Sequence, residues 1–337
     1  MFNLQNFMAG VMAFIATLTG IFNSAKTITF EQAAQDLNPL SIVAMRARSY
    51  PGSDIQIEQT LSSNSFSDRY IVSYKSDGLK IFGLLLVPKA EKPANGFPVI
   101  IFNHGYITPE FYSPLEKYSQ HENAFVKNGY IVFKPDYRGN WKSEGEPAST
   151  YFSPDYTVDD LNAIASIKKY KDVNPNKLGV WGHSMGGSIT LRDTVVNTKD
   201  IKAAVIWAGV VGSYDQIVDN WQNRVKYKPD KEDLMLRTKN RDILVSIYGN
   251  YKDNPEFWKS IDPSAFVKDI NTPIQIHVGE SDNQVPPDFS SSLYDKLKKA
   301  NKTVEFYSYP GADHNLSQGF NLAMKRSIEF FNRYLRE

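Results

Sequence analysis

Leu178-Gly179-Val180-Trp181-Gly182-His183-Ser184-Met185-Gly186-Gly187 reads as a buried strand, a G-x-S-x-G turn and the first residues of a helix. A turn of this kind holds its serine in a strained backbone conformation, with the hydroxyl raised above the end of a sheet. The glycines two positions to either side are required because strand and helix approach too closely for side chains. A similar stretch, Trp141-Lys142-Ser143-Glu144-Gly145, lacks the first glycine and follows no buried strand, so Ser143 reads as a loop residue.

Outward from this turn the chain alternates short apolar runs with amphipathic stretches. The runs are Val99 to Phe102, Tyr130 to Phe133, Leu178 to Trp181, Ala203 to Trp207, Ile274 to Val278 and Val304 to Tyr307. Runs this short and this apolar fit strands covered on both faces of a parallel sheet. Helices are expected at 114–128, 157–171, 185–197, 288–300 and 317–335, the second opening on a capping-box-like Thr157-Val158-Asp159-Asp160. Before them, Ile55 to Leu61, Tyr70 to Tyr74 and Ile81 to Val87 read as strands, the last two joined by the turn Ser76-Asp77-Gly78. The alternation predicts a doubly wound α/β fold.

One interval breaks the rhythm. Nearly sixty residues, 212–270, separate two strands, far more than an αβ loop needs. We read them as a helical lid inserted into a core formed by 26–211 and 271–337. Its aromatic residues either make up the lid's own core or, as Trp221 and Trp258, reach the substrate.

Composition narrows the function. With 337 residues the chain can bury a full core, and 42% hydrophobic with 22% charged residues is a globular balance. A net charge of +1 without a long basic run gives no footprint for nucleic acid, and the absence of cysteine removes disulfides, thiolate metal sites and a cysteine nucleophile. Residues 1–25 form an apolar segment whose first flanking charge is Lys26. They read as an export signal or membrane anchor, the alternative being a helix that docks on a cytoplasmic domain. Two glycosylation sequons, at Asn301 and Asn315, read as chance matches.

A serine hydroxyl is a weak nucleophile, so Ser184 needs a base and a group to orient that base. Of five histidines, His183 adjoins the serine, His104 ends a strand, His121 lies in a helix and His277 lies in a strand. His314, in Gly311-Ala312-Asp313-His314 after the last strand, is the expected base. The orienting acid should follow a strand between serine and histidine. Asp282, in Gly279-Glu280-Ser281-Asp282-Asn283-Gln284-Val285-Pro286, satisfies this, with Glu280 next, then Asp313, while Asp288 reads as a helix cap. Two backbone amides should receive the oxyanion. Met185, which opens the helix, gives one; Tyr106, in Asn103-His104-Gly105-Tyr106, gives the other, and its ring is a candidate substrate contact.

These residues together resemble the α/β-hydrolase superfamily, and within it small esterases and the catalytic domain of the prolyl oligopeptidase family. The resemblance runs from about Tyr70 to the C-terminus. Its marks, in order, are Asn103-His104-Gly105, Pro135-Asp136-Tyr137-Arg138-Gly139, the serine turn, the Asp282 loop and the His314 loop. It implies an eight-stranded, mostly parallel sheet flanked by helices, acyl-enzyme chemistry without metal or organic cofactor, and a structural role for Asp136 and Arg138. Two departures favour an esterase over a peptidase: the residues before Tyr70 cannot hold the β-propeller usual in oligopeptidases, and Met185 stands where those enzymes often carry tyrosine. The expected substrate is a small ester with apolar acyl or aryl groups. An exopeptidase, its substrate's amino terminus gripped by lid acids such as Asp219 or Glu232, is the alternative. A non-catalytic binding protein of the same fold is a further one. A dehalogenase would need a carboxylate where Ser184 stands.

Overall fold

The computed structural model describes residues 38–147, 151–226, 228–229 and 231–336. The apolar segment 1–25 lies outside them, and among the described residues no helix is long and apolar enough to cross a membrane.

All nine apolar or alternating runs form strands of one sheet: β1 (Gln56–Leu61), β2 (Ser67–Ser76), β3 (Leu79–Pro88), β4 (Phe97–Asn103), β5 (Ile131–Pro135), β6 (Val173–His183), β7 (Ile201–Trp207), β8 (Ile274–Gly279) and β9 (Val304–Tyr309). Their spatial order is β1-β2-β3-β5-β4-β6-β7-β8-β9, with β1 to β3 antiparallel and the other six parallel. The sheet therefore exceeds the eight strands implied by the resemblance. The ninth is β1, an edge strand exposed along nearly its whole length, so it contributes pairing to β2 and almost nothing to the core. In contrast, β4, β5 and β8 are buried at every position, as strands covered on both faces must be.

Helices α1 (Ile42–Ala47), α3 (Asp155–Ile167), α4 (Met185–Val196) and α8 (Pro287–Lys299) cover one face, and α2 (Ser119–Lys127) and α9 (Phe320–Leu335) the other. Because β4 lies between β5 and β6, the chain winds in opposite directions from it. The loops leaving the carboxyl ends of β4 and β6 therefore part, and a crevice opens there.

Two expected helix starts are displaced. The segment from 114 becomes helical only at Ser119, because Lys117 and Tyr118 both adopt left-handed backbone, φ 55° and 59°. Thr157-Val158-Asp159-Asp160 is not a cap but the buried interior of α3, which starts at Asp155 after Pro154. The Asp159 carboxylate receives the Arg138 guanidinium and the Ser76 hydroxyl instead of helix amides.

Residues 212–270 contain α5 (Tyr214–Arg224), α6 (Lys231–Tyr248), α7 (Pro255–Ile261) and a 3-10 segment, Pro263–Asp269. A reciprocal capping box, Ser213 with Gln216, starts α5. Phe257, Trp258, Ile261 and Val267 join the same apolar core as the sheet, so the base of this insertion is continuous with the domain.

Candidate active site

Ser184 sits between β6 and α4 at φ 55°, ψ −118°, a conformation that L-residues avoid. Its neighbours hold it there: its N–H donates to the Trp207 carbonyl, and its own carbonyl accepts from Gly187 and Val210, each at 3.0 Å. A Cβ at Gly186 would lie 1.9 Å from the Asn103 carbonyl oxygen, and one at Gly182 would lie 2.2 Å from that of Gly186. Both positions must therefore be glycine for strand and helix to meet.

The loop after β9 carries His314, whose Nδ1 lies 2.7 Å from Asp282 Oδ2 on the loop after β8. The other carboxylate oxygen accepts the amides of Gln284 at 2.8 Å and Val285 at 2.9 Å. With an acceptor at Nδ1, the neutral ring carries its proton there and leaves Nε2 with the lone pair. The Asp282 side chain is fully buried and that of His314 6% exposed, so water barely competes for their bond.

The other acids are engaged elsewhere. Glu280 accepts from Ser308, Asp313 receives the amides of Asn315 and Ser317, and Asp288 pairs with Arg224. The other histidines are also committed. His104 is stacked between Tyr112 and Tyr137, with ring centroids 4.7 Å from each, and burial pushes its pKa down to about 3. His277 lies between the Tyr309 hydroxyl and Gln275, and His121 packs among Phe102, Trp181, Trp207 and Phe320; burial lowers both to about 3.

Ser184 and His314 open together onto a cleft of about 680 Å³. Tyr106, Tyr118, Tyr151, Trp221, Val285 and Phe320 form most of its apolar wall. Met185 is the first residue of α4, where main-chain amides lack helical partners, and Tyr106 follows β4 and lines the same cleft as the serine. Trp221 lines the cleft and donates its indole N–H to the Gln284 carbonyl at 2.7 Å, joining α5 to the acid loop. Trp258 does not reach the cleft. It is fully buried against Phe152, Tyr214 and Phe257, with its N–H on the Gly249 carbonyl, so the expected substrate contact is replaced by a packing role. The side chains of Asp219 and Glu232 lie outside the described residues.

Asp136 and Arg138 stand beneath this arrangement. Asp136 accepts from Tyr112 at 2.6 Å, and burial raises its pKa to about 7. Arg138 binds Asp159 through its backbone and side chain and also reaches Asp155. Sequence reasoning missed a buried acid pair, Asp160 with Asp193, bridged by the Asn103 amide at 3.3 Å to each. Burial raises both pKa values, and the Asp160 charge raises that of Asp193 further. It also missed Lys117 and Tyr118, since no periodicity marks the left-handed pair that turns them to the cleft.

Known proteins with related chains carry both esterase and peptidase names. An uncharacterized peptidase of Bacillus subtilis, YtmA, is 26% identical over 262 residues, covering 77% of this chain and 91% of its own. Acetyl xylan esterase 1 of Thermoanaerobacterium superposes with a TM-score of 0.63 at 19% identity, covering 86% of this chain and 90% of the esterase. Dipeptidyl peptidase 4 of Porphyromonas gingivalis superposes with a TM-score of 0.61 at 18% identity, covering 80% of this chain, which spans only 36% of that larger protein. At these identities the two structures establish the α/β-hydrolase fold. Residues 116–337, which hold the serine turn, the acid loop and the histidine loop, match the prolyl oligopeptidase family, and the chain belongs to that family of serine hydrolases.

Proposed function

We propose that this chain hydrolyses small carboxylic esters through an acyl-enzyme. The observation that carries the reading is the strained Ser184 opening onto the same cleft as a histidine already paired with a buried aspartate. His314 Nε2 takes the Ser184 proton as Oγ attacks the carbonyl carbon, and the amides of Met185 and Tyr106 receive the oxyanion. The intermediate collapses with transfer of that proton to the departing alcohol. Water, deprotonated by the same nitrogen, then releases the acid and restores the serine. Asp282 stabilises the transient imidazolium and fixes the ring. The sequence of steps is complete with the chain's own groups.

The described cleft lining suits an ester. Lys117 is the one formal charge among those residues. The aromatic walls, Tyr106 and Trp221 among them, suit an apolar acyl or aryl group. The uncharged segment 1–25 supports export or membrane attachment of the enzyme.

The test is turnover of short and medium p-nitrophenyl esters by the parent and Ser184→Ala. Turnover by the parent with a loss of several orders of magnitude in the variant upholds the proposal. Silence on esters with fluorophosphonate labelling of Ser184 would replace the ester by a peptide. Silence in both would leave a binding protein.

A further inference from the structure

Three loops must stay in register for the proposed reaction: the β4 loop carrying the Tyr106 amide, the serine turn, and the loop carrying His314. One side chain, at the far end of the connection from β4 to α2, touches two of them directly. The Tyr118 hydroxyl lies 2.9 Å from the Gly105 amide nitrogen and 2.8 Å from His183 Nδ1. His183 in turn places Nε2 3.0 Å from the main-chain oxygen of His314.

The partners fix every proton in this chain. A carbonyl oxygen only accepts, so His183 Nε2 carries hydrogen. In the neutral ring Nδ1 is then an acceptor, and the Tyr118 hydroxyl must donate to it. The phenol oxygen is left to accept from Gly105. The chain therefore runs in one direction: Gly105 N–H to Tyr118, Tyr118 O–H to His183, His183 Nε2–H to His314 C=O. An imidazolium at His183 would place a second N–H on the phenol oxygen and take away the acceptor of its hydrogen, and burial together with the neighbouring His314 already opposes that charge. The site is built for the tyrosine: a Cβ at Gly105 would lie 2.6 Å from its oxygen and 3.3 Å from His183 Nδ1. Placing the ring there requires the left-handed backbone at both Lys117 and Tyr118, at a position with no glycine.

We infer that Tyr118 is a positioning residue, which through His183 in its neutral Nε2–H form holds the second oxyanion amide, the serine turn and the His314 loop in one register. The inference rests on the proposed serine hydrolysis. Removing only the hydroxyl keeps the ring that walls the cleft, so its signature is a fall in kcat with KM retained.

The experiment compares the full chain with Tyr118→Phe, His183→Leu, the double variant and His183→Gln, using p-nitrophenyl acetate and a fluorophosphonate. Loss of the hydroxyl should lower kcat about tenfold to hundredfold with KM within about twofold. His183→Leu should match it, and the double variant should be no worse than either single one, because both break the same chain. His183→Gln, whose carboxamide supplies an acceptor and a donor, should recover most of the rate. In the parent, histidine side-chain 15N spectra should show His183 protonated at Nε2 and unchanging from about pH 5 to 9. Additive losses, a kcat within twofold of the parent, or a proton on Nδ1 would overturn the inference. A parent that neither turns over ester nor reacts with fluorophosphonate would instead sink the hydrolase reading, while the 15N result would still decide the geometry.

Discussion

Asp282 uses both carboxylate oxygens, one on His314 and one on two main-chain amides, so its orientation leaves the imidazole a single favoured tautomer. An asparagine there can present its amide N–H to Nδ1 and reverse that tautomer. Asp282→Asn should therefore lower kcat by about three to four orders of magnitude while fluorescence and circular dichroism stay unchanged. At this scale the serine, acid and histidine loops were legible, because each motif follows a strand and strand order brings the loops to one end of the sheet. Trp258 and Tyr118 were not. An aromatic residue in an insertion does not announce whether it faces core or cleft, and two left-handed residues without glycine leave no pattern. Asp136 gives a prediction of another kind. Its carboxyl has a pKa of about 7 in the fold against roughly 3.9 in the unfolded chain, so between these values the folded protein holds a proton that the unfolded one releases. Its contribution to stability is thus lost as pH rises through that window. Asp136→Asn keeps the acceptor for Tyr112, and the drop in urea midpoint between pH 5 and pH 8 should be smaller than in the parent.

Among the elements, every strand was located because a packed sheet face enforces apolar or alternating runs, but the ends of β2 and β6 run two to five residues beyond the runs that marked them. Helix beginnings were read less well: Thr157-Val158-Asp159-Asp160 has the composition of a cap, but Arg138 claims Asp159 from a distant loop. That contact is tertiary and has no local signal. The element that shapes the cleft is α5, fastened by the Trp221 indole to the acid loop. Trp221→Phe keeps most of the ring and removes the bond, with an expected cost of about 1 kcal/mol in stability. Since the wall loosens while Ser184, Asp282 and His314 stay in place, the proposed ester hydrolysis should show KM for medium-chain esters rising more than kcat falls. A different consequence attaches to β1. Its polar alternation shields the β2 edge, so replacing residues 56–61 by a glycine-serine linker should uncover that edge and promote self-association, visible by light scattering.

For the molecule as a whole, the question is whether the helical insertion behaves as a separate unit. Phe257, Trp258, Ile261 and Val267 are buried in the core that also contains strands β4 and β8. Unfolding of the insertion would thus expose the sheet. Thermal melts followed by tryptophan fluorescence, to which Trp221 and Trp258 contribute, and by far-ultraviolet circular dichroism should coincide. Two separated transitions would show that this shared core does not couple them. The same union explains why the insertion was recognisable only by its length. Its described buried apolar side chains join the core of the sheet.

Gln284 combines these scales at one position. Its N–H is received by Asp282 and its carbonyl receives Trp221, while its side chain lines the cleft. The hydrogen bonds that join the acid loop to α5 thus run through the peptide groups there and use no side-chain atom of Gln284. Variation at this one site, proline excepted, can recast what the cleft admits without disturbing either the acid or the wall. For the proposed ester hydrolysis, position 284 is a place where specificity can shift while the frame of the site is kept.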